Sequence, residues 1–210
     1  MSTRRAKKAT MDFMQIIRGR RSVRAFRAAP LTRAQLELVL EAAGWAPSPH
    51  GRQPWRFVVL TSPEAKGRLA AAMGQQWRQQ LALDGQDEAT INARFAQSHQ
   101  RITSAPAVIV PCLYLEELDR YPDAERQAAE TTMAIQSLGC AIQNMLLAAY
   151  AQGFDGGWMC APLFCQATVR TALELDAALQ PHALITLGYA ARDPQRRPRK
   201  SVADLVAHWE

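Results

Sequence analysis

Between Thr131 and Phe154 the chain runs without a single charged side chain. As a helix, such a run is long enough to cross a bilayer, so its surroundings decide what class of protein this is. Gln136, Ser137, Gln143, Asn144 and Gln152 interrupt it at near-sevenfold spacing, which places them on one helical stripe. A helix facing lipid would not carry that many amides. A helix packed in a protein core or against a second subunit would. The membrane reading is set aside, and a long helix at the centre of a globular domain is expected.

The remaining chain reads as helices with single strands between them. Met11 to Arg18 places Phe13, Ile16 and Ile17 on one side of a short amphipathic helix. Thr32 with Gln35 makes a capping box for a second helix, whose inward face is Leu36, Val39, Leu40 and Ala43. Pro47, Pro49, Gly51 and Pro54 mark a loop that no helix crosses. Trp55 to Leu60, aromatic and β-branched, follows as a strand, with Trp55 in the core. Ser62 and Pro63 are an N-cap and first-turn pair for a helix through about Leu83, broken at Asp84–Gly85. A further helix covers Glu88 to Ile102, and Pro106 to Cys112 is a buried strand. The long helix starts at Pro122 and ends at Gly153. Gly156 to Cys160 is a short strand, Cys165 to Leu175 a helix, and Ala183 to Tyr189 the last strand before a basic segment and a short terminal helix or extension. No two strands are joined by a hairpin turn, so the expected class is α+β. A doubly wound dinucleotide fold would need a strand feeding Gly-x-Gly-x-x-Gly, and the chain has no such run.

With 210 residues, 48% of them hydrophobic and 21% charged, the chain can bury one core. The expected organisation is a flexible basic arm over 1–10 and a single domain over 11–210. The formal net charge of +6 is concentrated in two clusters. Arg4, Arg5, Lys7 and Lys8 form one, and Arg192, Arg196, Arg197, Arg199 and Lys200 the other. Without them the excess is gone. Basic clusters can mark nucleic-acid binding, but the late cluster has no interleaved aromatics and no helical spacing, and a phosphate clamp is an equal reading of it. Cys112, Cys140, Cys160 and Cys165 form no Cys-x-x-Cys pair and no zinc-type set with histidine, so no metal site is expected. Three of them lie in apolar stretches and read as reduced core thiols of a cytoplasmic protein. No apolar segment follows the basic N-terminus, as a secretory signal would require.

Three further motifs carry chemistry. Arg20-Arg21-Ser22-Val23-Arg24 places three guanidinium groups and a hydroxyl within five residues. Arginine forks suit phosphate oxygens and carbonyl edges. In an extended segment Arg20, Ser22 and Arg24 point one way and Arg21 the other. Ala46-Pro47-Ser48-Pro49-His50-Gly51-Arg52-Gln53-Pro54-Trp55 is a stiff polar loop ahead of a buried strand. Gly153-Phe154-Asp155-Gly156-Gly157-Trp158 has adjacent glycines that let a backbone approach a flat ligand. Each has a plain structural reading as well: a solvated basic turn, a corner carrying Trp55 into the core, and a helix C-cap at Gly153.

Taken in order and spacing, these motifs together with the late Arg196-Arg197-Pro198-Arg199-Lys200 segment resemble the nitroreductase superfamily, from about Phe13 to Trp209. The resemblance implies a three-layer sandwich with a central, mostly antiparallel sheet flanked by helices, in an interlocked homodimer. It implies an FMN-dependent oxidoreductase with NAD(P)H or another reductant as hydride donor and a small-molecule acceptor. Residue by residue, it makes Arg20, Arg21, Ser22 and Arg24 FMN contacts, with Arg20 at the phosphate and Arg24 at the pyrimidine edge. Pro47, Ser48 and Gly51 would line the flavin from the facing subunit, with His50 as a pocket residue. The Gly156–Gly157 backbone would approach flavin N5, and Arg197 and Arg199 would close on the phosphate. No side-chain nucleophile is implied; Arg24 and Gly157 would tune the flavin. Within the superfamily, Ala-Pro-Ser-Pro-His (46–50), Val-Ile-Val-Pro-Cys-Leu (108–113), Tyr-Pro-Asp (121–123), Ala-Ile-Gln-Asn-Met-Leu-Leu (141–147) and Leu-Phe-Cys (163–165) are similar to the FbiB-type reductase domain of coenzyme F-420 biosynthesis. That similarity implies a dehydro-deazaflavin precursor as acceptor; the ligase domain of those enzymes is absent. A non-catalytic flavin- or deazaflavin-binding module and a basic nucleic-acid-binding protein are the alternative readings.

Overall fold

A computed structural model describes residues 12–194 and 197–210. The basic arm over 1–10, Met11 and Arg196 lie outside the described residues. The elements in chain order are α1 (Phe13–Gly19), α2 (Arg33–Gly44), β1 (Trp55–Leu60), α3 (Pro63–Leu83), α4 (Glu88–Thr103), β2 (Ala107–Tyr114), α5 (Ala124–Ala151), β3 (Asp155–Met159), α6 (Gln166–Leu173), β4 (Leu179–Pro181), β5 (Leu184–Gly188) and α7 (Val202–Leu205). The strands run in the order β1-β2-β5-β3, every neighbouring pair antiparallel. The α+β expectation holds, with an antiparallel sheet at its centre.

The layers follow from the alternation of β2. Ala107, Ile109 and Leu113 point to one face and pack with α2 and α5 residues such as Val39, Leu138, Ile142 and Met145. Val108, Val110 and Cys112 point to the other and pack with Leu69, Met73, Ile102 and Val169 from α3, α4 and α6. A strand buried on both faces reads as a continuous apolar run, which is why β2 was recognisable. β4 was not expected. It lies in line with β5, and both pair with β2: Cys112 faces Pro181 and Ile109 faces Ile185. Three steps on β2 therefore match four on the β4–β5 line, so one extra residue bulges at His182–Ala183. The His182 amide still donates to the Pro111 carbonyl at 2.9 Å.

Caps set the helix ends. Asp12, Thr32, Ser62, Asp87, Asp123 and Ser201 each accept a backbone N–H through their side chains. α5 ends at Gln152, and Gly153 turns away at φ 84°, donating its N–H to the Tyr150 carbonyl. Two expectations are corrected. The amide stripe divides: Ser137 is buried and Asn144 is half-buried, bonded to the Ala42 carbonyl, whereas Gln136 and Gln143 stand on the exposed face with Met133, Ile135 and Cys140. Adjacent helical residues are 100° apart, so one stripe spans both sides of a burial boundary. Of the cysteines only Cys112 is buried; Cys165 is half-buried, and Cys140 and Cys160 are exposed. Among the described residues no helix is long and apolar enough to cross a membrane.

The Arg20–Phe26 segment crosses the edge strand. Ser22 bridges Gly156, the Val23 N–H donates to the Gly156 carbonyl at 3.0 Å, and Phe26 bridges Ala190. A Cβ on Gly157 would lie 2.4 Å from the Val23 carbonyl oxygen, a backbone atom that cannot swing away. Gly157→Ala is therefore expected to destabilise by about 1–3 kcal/mol. Gly67→Ala, where a Cβ meets nothing within 4 Å inside α3, is expected to stabilise by up to about 1 kcal/mol. Urea denaturation of both variants checks the pair. Burial also holds the His182 imidazole below its ordinary pKa. Above the usual histidine pKa the ring is neutral in folded and unfolded chain alike. As pH falls through that value, the unfolded chain binds a proton that the folded chain resists, and stability declines until the lower folded pKa is passed. His182→Gln is expected to flatten this part of the stability–pH curve; an unchanged curve would remove His182 as its source.

Candidate functional site

The segment after α1 is held on both sides by the chain's own backbone. The Arg20 N–H caps α1 at the Ile16 carbonyl. Further on, the Arg27 N–H donates to the Tyr189 carbonyl at 2.8 Å, Arg27 Nε donates to the Ala190 carbonyl at 2.9 Å, and the Ala191 N–H donates to the Ala25 carbonyl at 3.0 Å. These bonds dock the basic C-terminal segment beside the basic N-terminal motif.

The consequence is a crowding of positive charge around Arg20. Burial, then Arg199, then Arg21 push its pKa down, and Asp155 alone acts the other way. The guanidinium stays charged, so this is a half-buried cation facing two like charges. Arg21 is turned aside: its Nη1 donates to the carbonyls of Arg18 and Arg20, both at 2.6 Å. With Arg27, Arg192, Tyr150, Asp155 and Asp193 it lines a cavity of about 270 Å³. Burial and the Asp193 charge raise the pKa of Asp155, against Arg20 and Arg21. Ser22 and Arg24 are exposed, and Arg24 makes no hydrogen bond or ion pair among the described residues. Arg197 and Arg199 are exposed. An arrangement with this excess of cations is completed by an anion.

Gly156 and Gly157 are both buried in the sheet. A Cβ on Gly157 would meet the Val23 carbonyl and one on Gly156 the Leu146 and Leu187 side chains, and further along the chain Trp158, Cys160 and Ala161 are exposed, the last opening a 3-10 turn (Ala161–Phe164). The sequence reading assigned the close approach to a flat ligand; in the structure the Val23 carbonyl stands closest to Gly157.

The second half-site is the loop before β1. It forms a 3-10 turn, Pro49–Gly51, and holds two non-glycine residues in the left-handed region, His50 at φ 54° and Gln53 at φ 52°, with Gly51 at φ 66° between them. Strain of this kind persists only where the surroundings impose it, and it gathers at functional sites. Here Ser48 Oγ accepts the Gln53 N–H at 3.0 Å, the Gln53 carbonyl accepts the Trp55 N–H at 2.8 Å, and Arg52 pairs with Asp119. Asp119 is itself fixed by its N–H donating to Glu130 Oε1 on α5 at 3.2 Å. Pro47, Ser48, His50 and Gly51 are thus presented on a rigid, partly exposed turn.

Within one chain the two half-sites are anchored at different points along α5. The loop is tied to α5 at Glu130. The arginine cluster lies by Tyr150, whose ring sits 2.3 Å from where a Gly19 Cβ would be. Twenty residues of helix separate those anchors, about 30 Å.

The fold and these half-sites define an α+β protein that brings arginines from both ends of the chain together beside an antiparallel sheet. Residues 17–189 match the description "Nitroreductase family", and the chain belongs to that family. YdjA of Escherichia coli K12, provisionally named an NAD(P)H nitroreductase, is 32% identical over 162 residues, 77% of this chain and 79% of that protein. YdgI of Bacillus subtilis, provisionally named likewise, is 28% identical over 96% of this chain and 99% of its own length. The crystal structure of a provisionally assigned nitroreductase from Desulfovibrio desulfuricans in complex with FMN is 28% identical and superposes with a TM-score of 0.70, covering 94% of this chain and 96% of that one.

His50→Gly is expected to stabilise the protein by about 1 kcal/mol by removing the left-handed strain. Thermal unfolding checks it, and a loss of stability would mean that the imidazole makes a compensating contact.

Proposed function

We propose that this protein is an FMN-dependent oxidoreductase that passes two electrons from NAD(P)H to a conjugated acceptor such as a nitro compound or quinone. The observation that supports it most directly is the convergence of the half-buried Arg20 with the exposed Arg199, cations from opposite ends of the chain. The donor set fits a phosphate group, whose oxygens match guanidinium forks. The kinship with a protein crystallised with FMN, and with relatives named for NAD(P)H-linked nitro reduction, supports the choice of cofactor and donor.

In this reading Arg20 and Arg199 hold the phosphate, with Arg197 closing over it and Ser22 supplying a hydroxyl. Arg21 positions the turn by capping α1. Arg24 stands free to meet the pyrimidine edge, where a positive charge favours negative charge building up on the ring. The Gly156–Gly157 pair shapes the strand edge beneath it. When bound, the flavin supplies the hydride chemistry; the protein binds, orients and screens it from water.

The reading also requires a homodimer. From Thr131 onward the exposed face of α5 carries Met133, Ile135, Gln136, Cys140 and Gln143 and no charge. Its middle, near residue 140, is also midway between Glu130 and Tyr150. A two-fold axis there would set one α5 antiparallel to its copy. It would thereby bring Pro47, Ser48, His50 and Gly51 of one subunit to the arginine cluster of the other. The finer reading is that the acceptor is a dehydro-deazaflavin precursor, supported by the FbiB-like stretches named above.

Two measurements test this. FMN is expected to bind more tightly than riboflavin, with Arg20→Ala erasing the difference and Arg24→Ala weakening both ligands or lowering turnover. A preparation that stays colourless after addition of FMN would overturn the assignment. An acceptor panel that includes the dehydro-deazaflavin precursor separates the finer reading from general nitro and quinone reduction. Gln136→Lys combined with Gln143→Lys is expected to yield a folded monomer in sedimentation and to lose flavin at the same time. A flavin-loaded monomer would show that one chain suffices.

A further inference from the structure

The strained loop before β1 is held by more than its own bonds. Of residues 50–53, His50, Gly51 and Gln53 take positive φ, and Arg52, at φ −71°, does not. The Arg52 N–H donates to the Pro49 carbonyl at 3.1 Å. Its guanidinium leaves the loop to pair with Asp119, much as Gln53 Nε2 reaches out to the Gly44 carbonyl at 3.3 Å.

An ion pair between two partly exposed side chains ordinarily contributes little, because both must be ordered to make it. Here Asp119 is ordered beforehand. Its N–H donates to Glu130 Oε1 at 3.2 Å, and its carbonyl accepts from Gln127 Nε2 at 3.2 Å. Both of those side chains come from one face of α5, three residues apart. Gln127 Oε1 also accepts the Tyr121 N–H at 3.0 Å, and Leu118, the residue before Asp119, is buried in the core. A second ion pair, Arg56 with Glu117 at 2.9 Å, ties the same segment to β1.

Glu130 is 3% exposed, and its Oε2 is buried without a partner among the described residues. Burying a carboxylate with one oxygen unsatisfied costs stability, and an apolar side chain would fill the position without that cost. What the carboxylate supplies is an acceptor aimed at the Asp119 amide.

We propose that Gln127 and Glu130 are positioning residues for the flavin site. They fix Asp119, Asp119 fixes Arg52, and Arg52 holds the loop over residues 47–53 in the strained shape in which it faces the cofactor of the partner subunit. The last of these steps rests on the flavin and homodimer readings above, and the earlier ones on the bonds just given.

Two measurements on the full-length protein test it. Hydrogen exchange without added FMN reads the Gly51, Arg52 and Gln53 amides, which bond within the loop to the Ser48 carbonyl, the Pro49 carbonyl and Ser48 Oγ. Fluorescence titration reads FMN affinity. Asp119→Ala and Arg52→Gln are each expected to speed exchange at these amides about tenfold and to raise the FMN dissociation constant by about the same factor, and the two together to do no more than either alone, as members of one relay should. Glu130→Ala is expected to reproduce both effects. Glu130→Gln, which keeps an acceptor for the Asp119 N–H, is expected to restore both. Unchanged exchange in Asp119→Ala would overturn the relay, and that variant alters a surface side chain, so the result does not depend on whether Glu130→Ala folds. Faster exchange with unaltered FMN affinity would separate the loop from the flavin site and overturn the proposal. A Glu130→Gln variant as defective as Glu130→Ala would remove the role given to the Glu130 acceptor. An unaltered protein that takes up no FMN would instead defeat the cofactor reading, while the exchange rates still decide the relay.

Discussion

The contact on which the rest depends is a backbone-to-backbone one, the passage of the Arg20–Phe26 segment over the edge strand at Gly156 and Gly157. Any side chain at position 157 would occupy the space of the Val23 carbonyl. Because the crossing is so close, Ser22 and Val23 bond directly to β3, and the chain arrives at Ala190 in register to pair with the outgoing C-terminal segment. Remove that approach and the two basic ends lose their common anchor. The glycines thereby serve the geometry of the arginine segment.

Bringing those ends together has an electrostatic consequence. Arg20 is half-buried beside Arg199 and Arg21, with Asp155 as the main opposing charge. Like charges in partial burial repel more strongly than in water. A bound anion converts that repulsion into attraction and stabilises the folded state by mass action. The fold thus carries like-charge repulsion at the arginine cluster and, in the left-handed His50 and Gln53, backbone strain in the loop before β1. Both half-sites are pre-organised at some cost, and both costs fall on residues that the core does not need.

Much of the fold was legible because its signals are local. Thr32 with Gln35, and Ser62 with Pro63, announce helix starts through cap chemistry, and α3 ends where Asp84–Gly85 breaks the pattern. β2 was legible as an unbroken apolar run. β4 was not, since three residues ending in proline carry no strand pattern, and their pairing with β2 is set at long range. The cysteines misled for a related reason. Cys140 lies in an apolar stretch, but the helix turns it to the exposed face, and an uncharged neighbourhood in sequence is not a buried one in space. In the site, the arginine motifs were legible as chemistry. Their convergence depends on bonds such as Arg27 to Ala190, 163 residues apart, which no local pattern encodes.

The position of the uncharged stretch ties these parts together. A charge on the exposed face of α5 would be harmless in a monomer, and a helix of 28 residues with one solvated side ordinarily carries several. Here the exposed side loses its charges from Thr131 onward, over the length that separates the loop anchor at Glu130 from the arginine cluster at Tyr150. A solvated face has no physical reason to be neutral over that interval and charged before it, at Glu125 and Arg126. A face paired with its own copy has one, because a charge buried in such an interface without a partner is costly. The feature that first suggested a membrane accords with the proposed pairing of two copies of the chain, which would also bring the loop of one subunit toward the arginine cluster of the other.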